Sequence, residues 1–152
     1  MSNAAFNIYQ FHDNFIHGIE FLMEDFTSEI RLDIDHILKW PSCDAAHVDD
    51  QLFLISKGHL TFVNVTDYRI SIDSGDSGYS TTVMGICIDR IVRDEIATPM
   101  KFEEYYRWEI VMTDGRSSIS FGASSFSFSA TGEVVSVARQ FLIDAERGKN
   151  GR

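Results

Sequence analysis

The residues of this chain that could do chemistry gather early in the sequence, where His12, Asp13 and His17 precede Asp33, Asp35 and His36. Imidazole and carboxylate side chains together suit acid–base work or a divalent cation such as zinc or manganese. The segment between them reads as a turn at about residues 24–28. That turn would set residues 16–22 opposite 30–36 and bring His17 beside Asp35 at the open end of a hairpin. His12, His17 and Asp35 are therefore the candidate metal ligands. The structural alternative is as simple: Asp33 and Asp35 sit on the polar face of a half-exposed strand, and His12 could bond a backbone carbonyl.

A second set lies at Gly75-Asp76-Ser77-Gly78. These four residues resemble the stretch around the nucleophile of chymotrypsin-like serine proteases, where backbone N–H groups form an oxyanion hole. The resemblance would make Ser77 a nucleophile. Tyr79-Ser80 follows where that family continues Gly-Pro, no His or Asp signature precedes it, and the chain is short for a double barrel. Small turn residues explain the loop without catalysis, with Asp76 kept as a binding candidate. In Tyr105-Tyr106-Arg107-Trp108, residue types enriched at binding hot spots cluster. Core packing accounts for Tyr106 and Trp108, which leaves Tyr105 and Arg107 as surface candidates.

The elements that would position these residues are mostly strands. Ile30, Leu32 and Ile34 alternate with Arg31, Asp33 and Asp35, the cleanest period-two pattern in the chain. A strand at about 16–23 precedes it, and Pro41 ends the run that follows. Leu52–Ser56 reads as a short strand. His59–Asp73 reads as a tight hairpin turning at Thr66-Asp67, and the glycine loop at 74–78 follows it. A strand covers about 84–92, a loop around Pro99 covers 93–104, and Tyr105–Thr113 pairs with residues 117–123 across Asp114-Gly115, a strong hairpin signal. Ser124–Ser129 alternates serine with phenylalanine. From Thr131 the spacing of Val134, Val137, Ala138, Phe141, Leu142 and Ala145 predicts a helix over about 133–147, stopped by Gly148. The expected architecture is mostly β (α+β): one domain, an antiparallel β-sandwich or strongly curved sheet with one C-terminal helix.

Composition narrows the function classes. The 152 residues carry a net charge of −10. Residues 1–50 hold ten acids against two bases, and the rest hold thirteen against eleven. Such a field repels nucleic-acid phosphates and anionic lipid, and favours a basic protein partner or a cation. It also serves as a plain solubility device. Two cysteines, Cys43 and Cys87, make no disulfide framework, and no stretch reads as a secretory leader or membrane span. A cytoplasmic setting is the expectation, cofactors are left open, and edge strands of such a sheet can pair into a dimer.

The series FHDNFIHGIEF, LDIDHILKW, LTFVNVTDYRISID, GDSGY and YYRWEI with ISFGAS is similar to a group of small uncharacterised bacterial proteins, over about residues 8–126. The resemblance implies a mostly-β or α+β bacterial domain and assigns no residue a role. Phe11-His12-Asp13 before a strand also resembles the opening of some immunity proteins of bacterial toxin systems. That likeness implies a non-enzymatic inhibitor whose acidic N-terminal third, with Asp33 and Asp35, docks on a basic partner such as a nuclease toxin. The alternative is a hydrolase or metal-dependent enzyme using the His/Asp cluster or Ser77.

Overall fold

A computed structural model describes residues 6–42, 47–73, 86–97 and 104–148. The expected glycine loop, with Asp76 and Ser77, lies outside the described residues, as do Cys43 and Pro99. Among the described residues there are one short 3-10 turn (Val48–Gln51) and nine strands: β1 (Phe15–Glu24), β2 (Thr27–Lys39), β3 (Phe53–Val63), β4 (Thr66–Ser71), β5 (Ile86–Glu95), β6 (Tyr106–Met112), β7 (Ser118–Ala123), β8 (Ser125–Ala130) and β9 (Val135–Val137). They pair in the order β4-β7-β6-β5-β1-β2-β3-β8, with β9 also on β3, and every pairing is antiparallel. Among the described residues the path is open, ending at β4 and β8. No helix among the described residues is long and apolar enough to cross a membrane.

Period-two patterning explains the long strands. In β2, Ile30, Leu32 and Ile34 are wholly buried, and they meet Leu60 and Phe62 of β3, Ile88 and Ile91 of β5, Trp108 and Ile110 of β6, and Ile119 and Phe121 of β7 in one core. Each such side chain contributes roughly 1.5–3 kcal/mol by leaving water. The Phe62 ring touches both Trp108 (5.1 Å between centroids) and Phe121 (4.7 Å), so rings from the two halves of the path share this core. Gly58 is required where β3 passes β8, because a Cβ there would lie 2.7 Å from the Ser129 carbonyl oxygen and strike the Phe128 ring.

The β1–β2 hairpin forms where the sequence places it. Glu24 faces Thr27, and Asp25 (φ 47°) and Phe26 (φ 66°) fill a two-residue turn in the left-handed region. The β6–β7 hairpin turns as expected at Gly115 (φ 70°), with the Asp114 carboxylate accepting from the Arg116 and Ser117 N–H groups.

Three expectations are corrected. The runs 52–56 and 59–63 are one strand, β3, passing straight through Lys57-Gly58. β3 and β4 do not form a hairpin: β3 joins β2, β8 and β9, while β4 joins β7 at the far end of the path. Asn64, at φ 56°, takes the left-handed turn that parts them. The C-terminal helix is also overturned. Val135–Val137 pairs with Phe53–Ile55, and only a single turn closes at residues 143–148. Branched Val134, Val135 and Val137 suit a strand better than a helix, and the open edge of β3 supplies the backbone partners that a helix would have found within itself. Val137 and Leu142 complete a second core with Ile37, Phe53 and Ile55.

Candidate functional site

The hairpin brings His17 to Asp35 as the sequence predicts. A register shift between Ile16 and Gly18 gives β1 a bulge at His17, and a bulge re-aims the side chain it carries. His17 Nε2 lies 2.6 Å from Asp35 Oδ2. Asp35 is wholly buried, however, and its carboxylate also accepts from the Leu142 N–H (2.9 Å) and from Arg147 Nη1. Arg147 is buried too, and its other terminal nitrogen pairs with Asp33. Lys57 Nζ in turn donates to the Arg147 carbonyl at 2.5 Å. Electrostatically the guanidinium stands where a bound cation would stand, between two carboxylates.

His12 is placed elsewhere. Its Nδ1 bonds the Asp89 carbonyl oxygen at 2.8 Å, and its ring stacks on Trp40. The trio His12, His17 and Asp35 is therefore not assembled, and no group of three or more His, Cys, Asp or Glu side chains among the described residues could hold a metal ion. His36, the remaining histidine of the cluster, packs between Phe11 and Phe128 and accepts from the Asn14 side-chain amide at 2.9 Å. Asn14 Oδ1 accepts from the Ile37 N–H. Burial pushes the His36 pKa below its usual 6.5. Cys87 is buried as well, and burial with the neighbouring Asp13 charge pushes its thiol up to about 12, far from a reactive thiolate.

Two further expectations change. Asp35 cannot be a docking side chain, since it has no exposed surface, and Asp33 beside it is engaged by Arg147. Tyr105 is not a surface residue either. It is 1 % exposed, and its hydroxyl lies 2.8 Å from the Asn64 carbonyl and 2.7 Å from Thr66 Oγ1, an anchor that residue type alone did not reveal. Trp108 is core as expected, while Tyr106 is half-buried. Arg107 is half-buried and donates to the Asp67 carbonyl and to Ser120 Oγ, tying β6 to its neighbours. Sequence reasoning missed Arg147 and also Arg93, whose guanidinium lies over Phe6 (4.6 Å) and Tyr106 (4.2 Å). Arg147 stands among other charged residues, Arg139, Asp144 and Glu146, so the sequence carried no distinct signal for it.

The outer half of the β1–β2 hairpin is arranged differently. Along one face, Glu20 pairs with Arg31, Leu22 with Glu29 and Glu24 with Thr27. Leu22, Glu24, Thr27, Glu29 and Arg31 line a depression there. Asp25 and the fully exposed Phe26 form the tip, and Met23 is exposed beside it. Glu20 and Glu29 thus flank Arg31 (3.6 and 4.0 Å), and Glu24 and Asp25 add two more carboxylates toward the tip, with apolar groups among them. No family model, curated protein or solved structure matches the chain.

Proposed function

We propose that this protein is a non-enzymatic interaction protein, an immunity-like inhibitor that captures a basic partner through the acidic outer half of the β1–β2 hairpin. The observation that carries the reading is the contrast between two sets of carboxylates. Asp33 and Asp35 are drawn inward by Arg147. Glu20, Glu24, Asp25 and Glu29 lie on the outer half of the β1–β2 hairpin, where β2 is also paired with β3 as far as Glu29, and the depression and tip there add Leu22 and Phe26. Carboxylates around apolar anchors match a partner with lysines or arginines around an apolar patch, such as a nuclease toxin domain. Complementary charge there speeds encounter, and the apolar contacts slow release. We also read the two halves of the strand path as the layers of a sandwich, a view supported by the Phe62 contacts with Trp108 and Phe121. Such layers would hold the hairpin rigid.

The test is binding to a panel of purified basic nuclease domains, measured by biolayer interferometry over a salt series. The expected result is one tight partner whose association rate falls several-fold between 50 and 300 mM salt. Binding should be lost in the Glu24→Lys/Asp25→Lys/Glu29→Lys protein while its circular dichroism is unchanged. Equal binding by that variant would remove the hairpin from the site, and no binding across the panel would count against the proposed partner class.

A further inference from the structure

The two ends of the strand path are built differently. At one end, β4 carries Asp67 and Arg69, and its ladder with β7 is broken between Thr66 and Arg69, with Asp67 in the left-handed region. Charges and a bulge are the ordinary devices that keep a sheet edge from pairing with another chain. At the other end, β8 reads Ser-Phe-Ser-Phe-Ser-Ala and is flanked by Ser124 and Thr131, eight residues without a charge, a proline or a glycine in a chain of net charge −10. Its ladder with β3 runs without a register shift from Val63↔Ser125 to Gly58↔Ala130.

Which backbone groups β8 leaves open follows from that ladder. The Thr131 N–H donates to the Lys57 carbonyl. In an antiparallel pair the residues that exchange hydrogen bonds alternate along the strand. Ser129, Ser127 and Ser125 therefore direct their backbone groups at β3, and Ala130, Phe128 and Phe126 direct theirs at the open side, while the Ser124 N–H, just before the strand, donates to the Val63 carbonyl of β3. No backbone hydrogen bond from the Phe126, Phe128 or Ala130 N–H to a strand on that side is found among the described residues. The serine side chains are exposed, and the Phe126 and Phe128 rings are half-buried on the core face.

We infer that β8 is an association edge for a second copy of this chain, which adds its own β8 antiparallel about a two-fold axis at Ser127. The sequence is self-complementary in that register: Phe126 faces the partner's Phe128, Ser125 faces the partner's Ser129, and Ser127 faces its own copy. The open backbone groups of Phe126 and Phe128 meet those of the partner copy's Phe128 and Phe126, so the register that matches side chains also pairs the open main chain at the centre of the strand. The two-fold axis then falls on a non-hydrogen-bonded pair, where Cα atoms come within about 4.5 Å. A charged ligand strand would gain nothing from this uncharged edge, whereas a copy of the same strand meets like with like. The surface is distinct from the acidic hairpin, so two copies would present two hairpins.

Sedimentation equilibrium over a hundred-fold concentration range tests the inference, together with cross-linking through an introduced cysteine in a Cys43→Ser background, in which the remaining Cys87 is buried. Wild type is expected to approach twice the monomer mass. Ser127→Asp, which sets two carboxylates face to face at the axis, is expected to stay monomeric with unchanged circular dichroism and melting temperature. Under mild oxidation Ser127→Cys is expected to link two copies several-fold faster than Ser129→Cys, because residue 129 faces 125 and not itself. A wild type that is monomeric throughout the range overturns the inference. A dimer that survives Ser127→Asp and cross-links equally from both cysteines overturns it as well.

Discussion

At the scale of single residues, His36 carries the clearest consequence of burial. The fold holds its ring between Phe11 and Phe128 with Nδ1 accepting from Asn14, and burial lowers its pKa from 6.5. The unfolded chain takes up a proton near the ordinary value of about 6.5 while the folded chain does not. Below that pH the unfolded state binds more protons, so stability falls as pH drops through 6.5 and is unaffected by this group above it. Melting curves from pH 8 to pH 5 should therefore show a steeper loss for wild type than for His36→Gln, whose side-chain oxygen can still accept from Asn14. Parallel curves would assign the acid sensitivity to other groups. This position was only half legible in the sequence. His36 stood beside Asp33 and Asp35 and was grouped with them as chemistry, yet its one-residue offset along β2 turns it to the opposite side of the strand from Asp35.

At the scale of elements, the C-terminal segment after β9 is held by a few directed contacts. Leu142 enters the second core, its N–H donates to Asp35, and Arg147 closes onto Asp35 and Asp33. Removing one partner of a buried ion pair leaves the other charge without compensation and costs about 3–5 kcal/mol. Arg147→Met should destabilise the protein by that order in urea unfolding and expose the 138–148 segment to limited proteolysis ahead of the sheet. Asp35→Asn/Arg147→Met should lose much less than the two single changes added together, because no lone charge is left inside. A single variant with an unchanged unfolding midpoint would show that the pair does not hold the segment. The same segment shows where reading by pattern stops. Strands whose alternation and turn chemistry agree, as in β1–β2 and β6–β7, were legible from Glu24–Ser28 and Asp114-Gly115. The three- and four-residue spacing after Thr131 suggested a helix, but it could not reveal that Asp35, more than a hundred residues earlier, would accept the Leu142 N–H. His59–Asp73 failed for a related reason: two adjacent alternating runs look like a hairpin, and only the pairing of β4 with β7 sends the second run to the far end of the path.

At the scale of the whole molecule, the net charge of −10 works against compactness while favouring capture of a basic partner. Exposed ion pairs such as Arg31–Glu20 at 3.6 Å and Lys39–Asp50 at 2.9 Å offset little of it, since pairs in water contribute about 0–1 kcal/mol. Salt acts on the two contributions in opposite directions: it weakens those pairs, and it screens the wider repulsion, whose reach falls to about 8 Å at physiological ionic strength. With carboxylates far in excess over the first fifty residues, repulsion should dominate. The melting temperature is therefore expected to rise between 10 and 300 mM sodium chloride. The Glu24→Lys/Asp25→Lys/Glu29→Lys protein should melt higher than wild type at low salt and respond less to added salt, because the repulsion has been relieved where the hairpin concentrates it. A melting temperature that falls with salt would mean that favourable pairs outweigh the repulsion, and the acidic hairpin would then owe its charge to stability and not to a partner.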